Sequence, residues 1–119
     1  MPTPLEHIAM QILAKHPLEA RSLTQDLLRH VSLLSHAPAP TGTDPTVRAI
    51  AAGLAELIAS RHGTAPPAWT SAIGALPAPV YLVEATARSA SMRARLERES
   101  PEPLRKRNLF APASYLALR

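Results

Sequence analysis

The chain has 119 residues, thirteen Lys/Arg against nine Asp/Glu, and no cysteine. That is one domain's worth of chain, and it excludes a disulfide framework, a thiolate nucleophile and a Cys-type zinc site. Four aromatic residues in all, Trp69, Tyr81, Phe110 and Tyr115, leave Leu, Ile, Val and Ala to build the core, which favours helix on helix.

Leu5, Ile8, Ala9, Ile12 and Leu13 recur at one helical face, so the spacing predicts a first helix from Leu5 to His16, closed by Pro17. A second helix is expected from Leu18 to about Ser35, on the stripe Leu23, Leu27, Val31 and Leu34. Pro17 suits its first turn and Glu19 suits its dipole. Ala37–Thr43 carries two prolines and a glycine and reads as a loop.

The third helix has the strongest signals. Asp44 is placed to cap it, Pro45 to open it, and Gly63 to stop it in a left-handed conformation. Val47, Ile50, Ala51, Leu54, Leu57 and Ile58 follow helical spacing between them. Gly53, inside this helix among alanines, implies a close crossing by another element.

Beyond Thr64 the chain is punctuated by proline. Pro66-Pro67-Ala68-Trp69 is expected to open a short turn or one-to-two-turn helix towards Ile73, followed by an extended strip at Val80–Val83 packed on the helices without a strand partner. Ser89–Glu99 returns to helix with a thin stripe of Met92 and Leu96. Ser100 is placed to cap a last short helix, with Pro101 and Pro103 in its first turn. The expected fold class is therefore mainly α: a single domain over 1–119, with a three-helix core at 1–63. A Pro-rich arm at 64–119 wraps it and carries short helices, one extended strip and a basic C-terminal helix.

Chemistry-bearing constellations are missing from the pattern. His7, His16, His30, His36 and His62 form no ligand pair with metal spacing, there is no Gly-x-Ser-x-Gly elbow, and four glycines make no phosphate loop. Glu97, Glu99 and Glu102 alternate with arginines, as on a solvated, ion-paired face. The expectation is a non-enzyme with no cofactor and no metal. No apolar run reaches the roughly 18 residues of a membrane helix, and Glu6 and His7 stand where a leader would be basic then apolar. A cytoplasmic protein without membrane association is the expectation.

Charge is uneven. Residues 85–119 hold eight Lys/Arg and three Glu (8 − 3 = +5), and residues 1–84 hold five and six (5 − 6 = −1), which sums to the formal +4. Arg105-Lys106-Arg107, backed by Arg88, Arg93, Arg95 and Arg98, thus has three readings: a contact for phosphates, a contact for an acidic protein surface, or simply a soluble, well-charged helical surface. Trp69 is read either as filler of a core gap or as an interface anchor. Phe110 and Tyr115 follow the basic run and are placed to clamp the tail to the body.

The segment from Pro66 to Leu116 resembles the C-terminal half of small bacterial antitoxin-like proteins. These are encoded beside nucleotidyltransferase-like toxins of the abortive-infection type. The landmarks are Pro67-Ala68-Trp69-Thr70, Leu76-Pro77-Ala78-Pro79-Val80-Tyr81-Leu82, and Ser100-Pro101-Glu102-Pro103-Leu104-Arg105-Lys106-Arg107-Asn108-Leu109-Phe110, then Pro112 and Tyr115-Leu116. The resemblance implies a non-enzymatic partner that restrains such a toxin, with Arg105, Arg107, Asn108 and Phe110 matching the motif. Lys106, Arg95, Arg98 and Trp69 complete the candidate partner-binding set. The alternative is a nucleic-acid-binding regulator using the Arg-rich C-terminal third. A homo-oligomer pairing through the Ala-rich side of the third helix is a further reading. A helix-turn-helix in the first half is disfavoured, because Ala37–Thr43 falls where a tight recognition turn is needed and the second helix is poor in Arg and Lys.

Overall fold

The computed structural model describes residues 2–83 and 89–116 and is mainly helical, as expected. Helix α1 (Pro4–Leu13) buries Leu5, Ile8, Ala9 and Ile12. It stops three residues before His16, because the chain turns at Lys15, whose φ is 63°, ahead of Pro17. Helix α2 (Pro17–Leu28) starts at the proline but ends well short of Ser35. After Arg29 and His30 the chain tightens into a 3₁₀ turn, Val31–His36, that buries Leu34 and leaves Leu33 59% exposed. Of the stripe expected on these two elements only Leu34 is fully buried; Leu23, Leu27 and Val31 are half-buried.

Helix α3 (Pro45–His62) fulfils the sequence reading at both ends. Asp44 Oδ1 accepts the N–H groups of Thr46 and Val47 at 2.9 and 3.3 Å, and Gly63 has φ 64°. The run Ala49–Ala55 is buried without a break, so this helix is enclosed on all sides and forms the axis of the molecule. Its Ala-rich side is therefore unavailable for pairing with a second copy, which corrects the further reading above.

The arm from Thr64 to Leu116 closes the core. A 3₁₀ turn (Ala68–Ala72) leads to β1 (Val80–Tyr81), then α4 (Ala90–Glu99), α5 (Glu102–Arg105) and β2 (Leu109–Phe110). The strip at Val80 does have a partner: β1 and β2 pair in parallel, Val80 opposite Leu109 and Tyr81 opposite Phe110. Helix α4 is capped by Ser89 and buries only Leu96; Met92 is 45% exposed. Ser100 does not cap α5. Its hydroxyl donates to the Leu96 carbonyl at 2.6 Å and accepts the Ala111 N–H at 2.9 Å, joining the end of α4 to the residue after β2. Leu104, Leu109 and Ala111 enter the same core as Leu5, Ile8, Ile50 and Leu54. Gly53 explains how α5 approaches so closely: a Cβ there would lie 2.8 Å from Leu104 Cδ2. Among the described residues no helix is long and apolar enough to cross a membrane.

Candidate partner-binding site

The basic motif divides into an interior half and an exposed half. Helix α5 ends at Arg105, and the following turn reaches Asn108, whose φ of 64° is left-handed. Asn tolerates that conformation better than other non-glycine residues. This turn sends Arg107 inward, where it is 2% exposed. Four of its five N–H donors are used. They reach the carbonyls of Ile73 (3.1 Å), Pro103 (2.9 Å) and Thr70 (2.8 Å) and the Glu56 carboxylate (2.6 Å). Lys106, on the rim, places its Nζ 3.0 Å from the same Glu56 oxygen. Burial opposes ionisation of Glu56, but hydrogen bonds from Arg107 and Lys106 and the Arg107 charge outweigh it and bring its pKa down to about 2.

Asn108 donates from its amide to the Leu76 carbonyl at 2.8 Å. Phe110 is 7% exposed and lies against the Tyr81 ring at a centroid distance of 5.5 Å. Arg107 thus fixes the arm to α3 through Glu56, while Asn108 and Phe110 hold the arm's own segments together, which corrects the expectation that the three face a partner. Trp69 is half-buried and ties the arm to the Pro-rich loop, its indole N–H donating to the Ala37 carbonyl at 2.8 Å; it acts as core filler with a polar anchor, not as an exposed interface residue. The expected tail clamp also operates through the backbone: Arg61 donates to the carbonyls of Tyr115 (2.7 Å) and Ala113 (3.0 Å). Burial raises the Tyr115 phenol to about 12.

Arg95, Arg98 and Arg105 remain exposed. Arg105 donates to the carbonyl of residue 98 at 3.1 Å, so the two guanidinium-bearing residues meet where α4 passes into α5. Arg95 lies one turn before Glu99 and contacts both of its oxygens, at 3.2 and 3.1 Å. Glu97 accepts the Tyr81 hydroxyl at 2.7 Å, which raises the tyrosine's pKa and ties β1 to α4. Arg88 lies outside the described residues. The exposed face that results is cationic but interleaved with carboxylates.

Two carboxylates that the sequence reading left aside organise the molecule. Glu56 is the only acid inside the apolar α3, a signal that a cation must come to meet it. Glu6 is 5% exposed and accepts the N–H groups of Thr3, Thr41 and Gly42 and the Thr41 hydroxyl, binding α1 to the loop before α3. Those bonds, Gly42 foremost, lower its pKa to about 2. The spacing Thr3-x-x-Glu6 is the capping-box signature that would have marked it.

Two apolar concavities accompany these features. One, of about 520 Å³, lies between α1, α2 and the Val31–His36 turn, with Leu23, Leu27, Leu33 and Leu34 as walls and Asp26, His7, His30 and His36 at its polar positions. The other, of about 330 Å³, lies between the end of α1 and β1, walled by Ile12, Leu13, Leu82 and Tyr115. Among the described residues no group of three or more His, Cys, Asp or Glu side chains is arranged to hold a metal ion. No protein-family model, no curated protein and no solved structure matches the chain.

Proposed function

We propose that the chain is a non-enzymatic protein–protein interaction module of the cytoplasm, an antitoxin-like partner that neutralises a nucleotidyltransferase-type toxin. The motif resemblance at 100–110 motivates the reading, and one observation carries it. After Arg107 is drawn inside, Arg95, Arg98 and Arg105 stay exposed around the α4–α5 corner, where they can steer and dock an acidic protein surface. Co-expression with the product of the neighbouring gene, followed by size-exclusion chromatography, tests it. A single co-eluting peak is expected, weakened by Arg98→Glu with Arg105→Glu while the circular dichroism spectrum is unchanged. Two separate peaks at micromolar concentration remove the reading.

The same arginines support the alternative of a nucleic-acid-binding regulator, with an affinity that falls steeply with salt. Glu97, Glu99 and Glu102 on the same two helices oppose a phosphate backbone, which favours the protein partner. A salt-sensitive shift with DNA or RNA, lost in the Arg98→Glu, Arg105→Glu variant, would reverse that order.

A further inference from the structure

We propose that α4 is a strap: a helix that opens as a unit on an intact core, hinged at Ser100 and latched by the hydrogen bond from Tyr81 to Glu97. The opening stands apart from the interaction-module reading; only its consequence for the arginines rests on that reading.

Helix α4 has little apolar surface to hold it. Of its ten residues eight are exposed, Arg93 is half-buried and Leu96 is buried. Leu96 lies outside the contiguous core that Leu104, Leu109 and Ala111 enter, so its burial is a satellite of that core. Intrinsic helicity does not make up the difference. Isolated helices shorter than about 12–15 residues are marginal in water. Glu97 and Glu99 stand in the last turn, against the dipole, with Arg98 as the one cation there. The Arg95–Glu99 pair runs from base to acid, the weaker order, and both side chains are well exposed.

The other fastenings are polar. Tyr81 reaches across from β1 and donates to Glu97 Oε1 at 2.7 Å, and Arg93, one turn earlier on the helix, acts on the same phenol through its charge. At the far end the Ser100 hydroxyl joins the Leu96 carbonyl to Ala111, and Pro101 follows in extended backbone, φ −55° and ψ 143°. Beyond it Leu104 is fully buried in the core, so α5 is fixed where α4 is not. The chain thus passes from a lightly held helix to a firmly held one across Ser100 and Pro101, and this junction is the hinge. Opening carries Arg95 and Arg98 away from Arg105, whose 3.1 Å bond to the residue 98 carbonyl spans the hinge. The cationic corner proposed as a docking surface is therefore whole only while the strap is closed.

Native-state hydrogen exchange of the full chain, read amide by amide by NMR, tests the strap. The α4 amides from Arg93 to Glu99 are expected to be protected, but at least about 100-fold less than those of Ala51 to Leu57 in α3, because local opening requires less than global unfolding. Ile50→Val, in the core, should lower α3 protection by about two- to ten-fold and leave α4 protection unchanged, since the closed and open forms share that core. Tyr81→Phe removes a bond made only in the closed form and should lower α4 protection by about two- to ten-fold. Equal protection in α3 and α4, no protection in α4, a loss in α4 that tracks α3 in Ile50→Val, or unchanged α4 protection in Tyr81→Phe would each overturn the proposal. Co-elution with the neighbouring-gene product is scored separately. Absence of a complex removes the docking surface and leaves the strap to the exchange data; a complex together with uniform exchange removes the strap and keeps the module.

Discussion

Replacing Arg107 by Met removes the donors at the seam while keeping an unbranched apolar stem of similar reach. The side chain is 2% exposed and makes four hydrogen bonds, one of them to a carboxylate at 2.6 Å. Breaking a buried ion pair from one side costs about 3–5 kcal/mol. Glu56 keeps Lys106 at 3.0 Å and its own side chain is 13% exposed, so the loss belongs at the lower end, about 3 kcal/mol. A chain of this length is stabilised by roughly 6–18 kcal/mol in total, at about 0.05–0.15 kcal/mol per residue. The substitution thus removes a sixth to a half of the fold's stability. The midpoint of thermal unfolding should fall by roughly 10–15 °C, at about 3–5 °C per kcal/mol for a domain of this size. Circular dichroism melts of wild type, Arg107→Met and Lys106→Ala check the argument, the last losing no more than about 1 kcal/mol because its pair is at the rim. A shift under about 3 °C for Arg107→Met would refute the claim that Arg107 anchors the seam rather than a partner.

Acid should unfold the protein through the same carboxylates. Glu6 and Glu56 have pKa values lowered from 4.5 to about 2 in the folded chain, so their contribution is complete above about 4.5 and is lost as pH falls through about 2. Urea midpoints measured at pH 7, 4.5 and 2.5 should drop mainly in the last interval, and Glu6→Gln should flatten that drop; a steady decline between pH 7 and 5 would contradict it. Gly53→Ala should destabilise by about 1–3 kcal/mol, despite alanine's helix propensity, because the added methyl would lie 2.8 Å from Leu104 Cδ2. A higher unfolding midpoint for that variant would show that Leu104 yields freely. At position 108, whose φ is 64°, chemical denaturation should rank Asn above Gly above Ala. Glycine loses only the bond to the Leu76 carbonyl, whereas alanine also meets about 1–2 kcal/mol of left-handed strain. Alanine as stable as asparagine would contradict the role given to the turn.

Legibility in the sequence followed the range of the interactions. Helix α3 could be read at both ends because Asp44, Pro45 and Gly63 act on backbone within one turn of themselves, and Gly53 signalled the close crossing that Leu104 completes. The change from α2 to a 3₁₀ turn could not, since no breaker stands between Leu28 and Val31; burial of Leu34 decides it through packing. The pairing of Val80 with Leu109 joins two-residue strands far apart in the chain, too short for either to announce a partner. The basic tail misleads for a related reason. A count of charge treats Arg105, Lys106 and Arg107 alike, but Glu56, 51 positions earlier, draws the third inside and leaves the first in solvent. The apolar concavity beside α2 was legible only in part. The leucines of the second helix had regular spacing, but nothing local indicated that their covering would stop halfway.

The Gly53 notch has a consequence for how the protein is made. Its plug, Leu104, is polymerised 51 residues after it, which at about 5–20 residues per second is a delay of roughly 3–10 s on the ribosome. During that interval the nascent α3 has a bare surface at its middle, and partial products ending before Leu104 would carry it permanently. Such fragments should be the ones that chaperones hold and proteases clear.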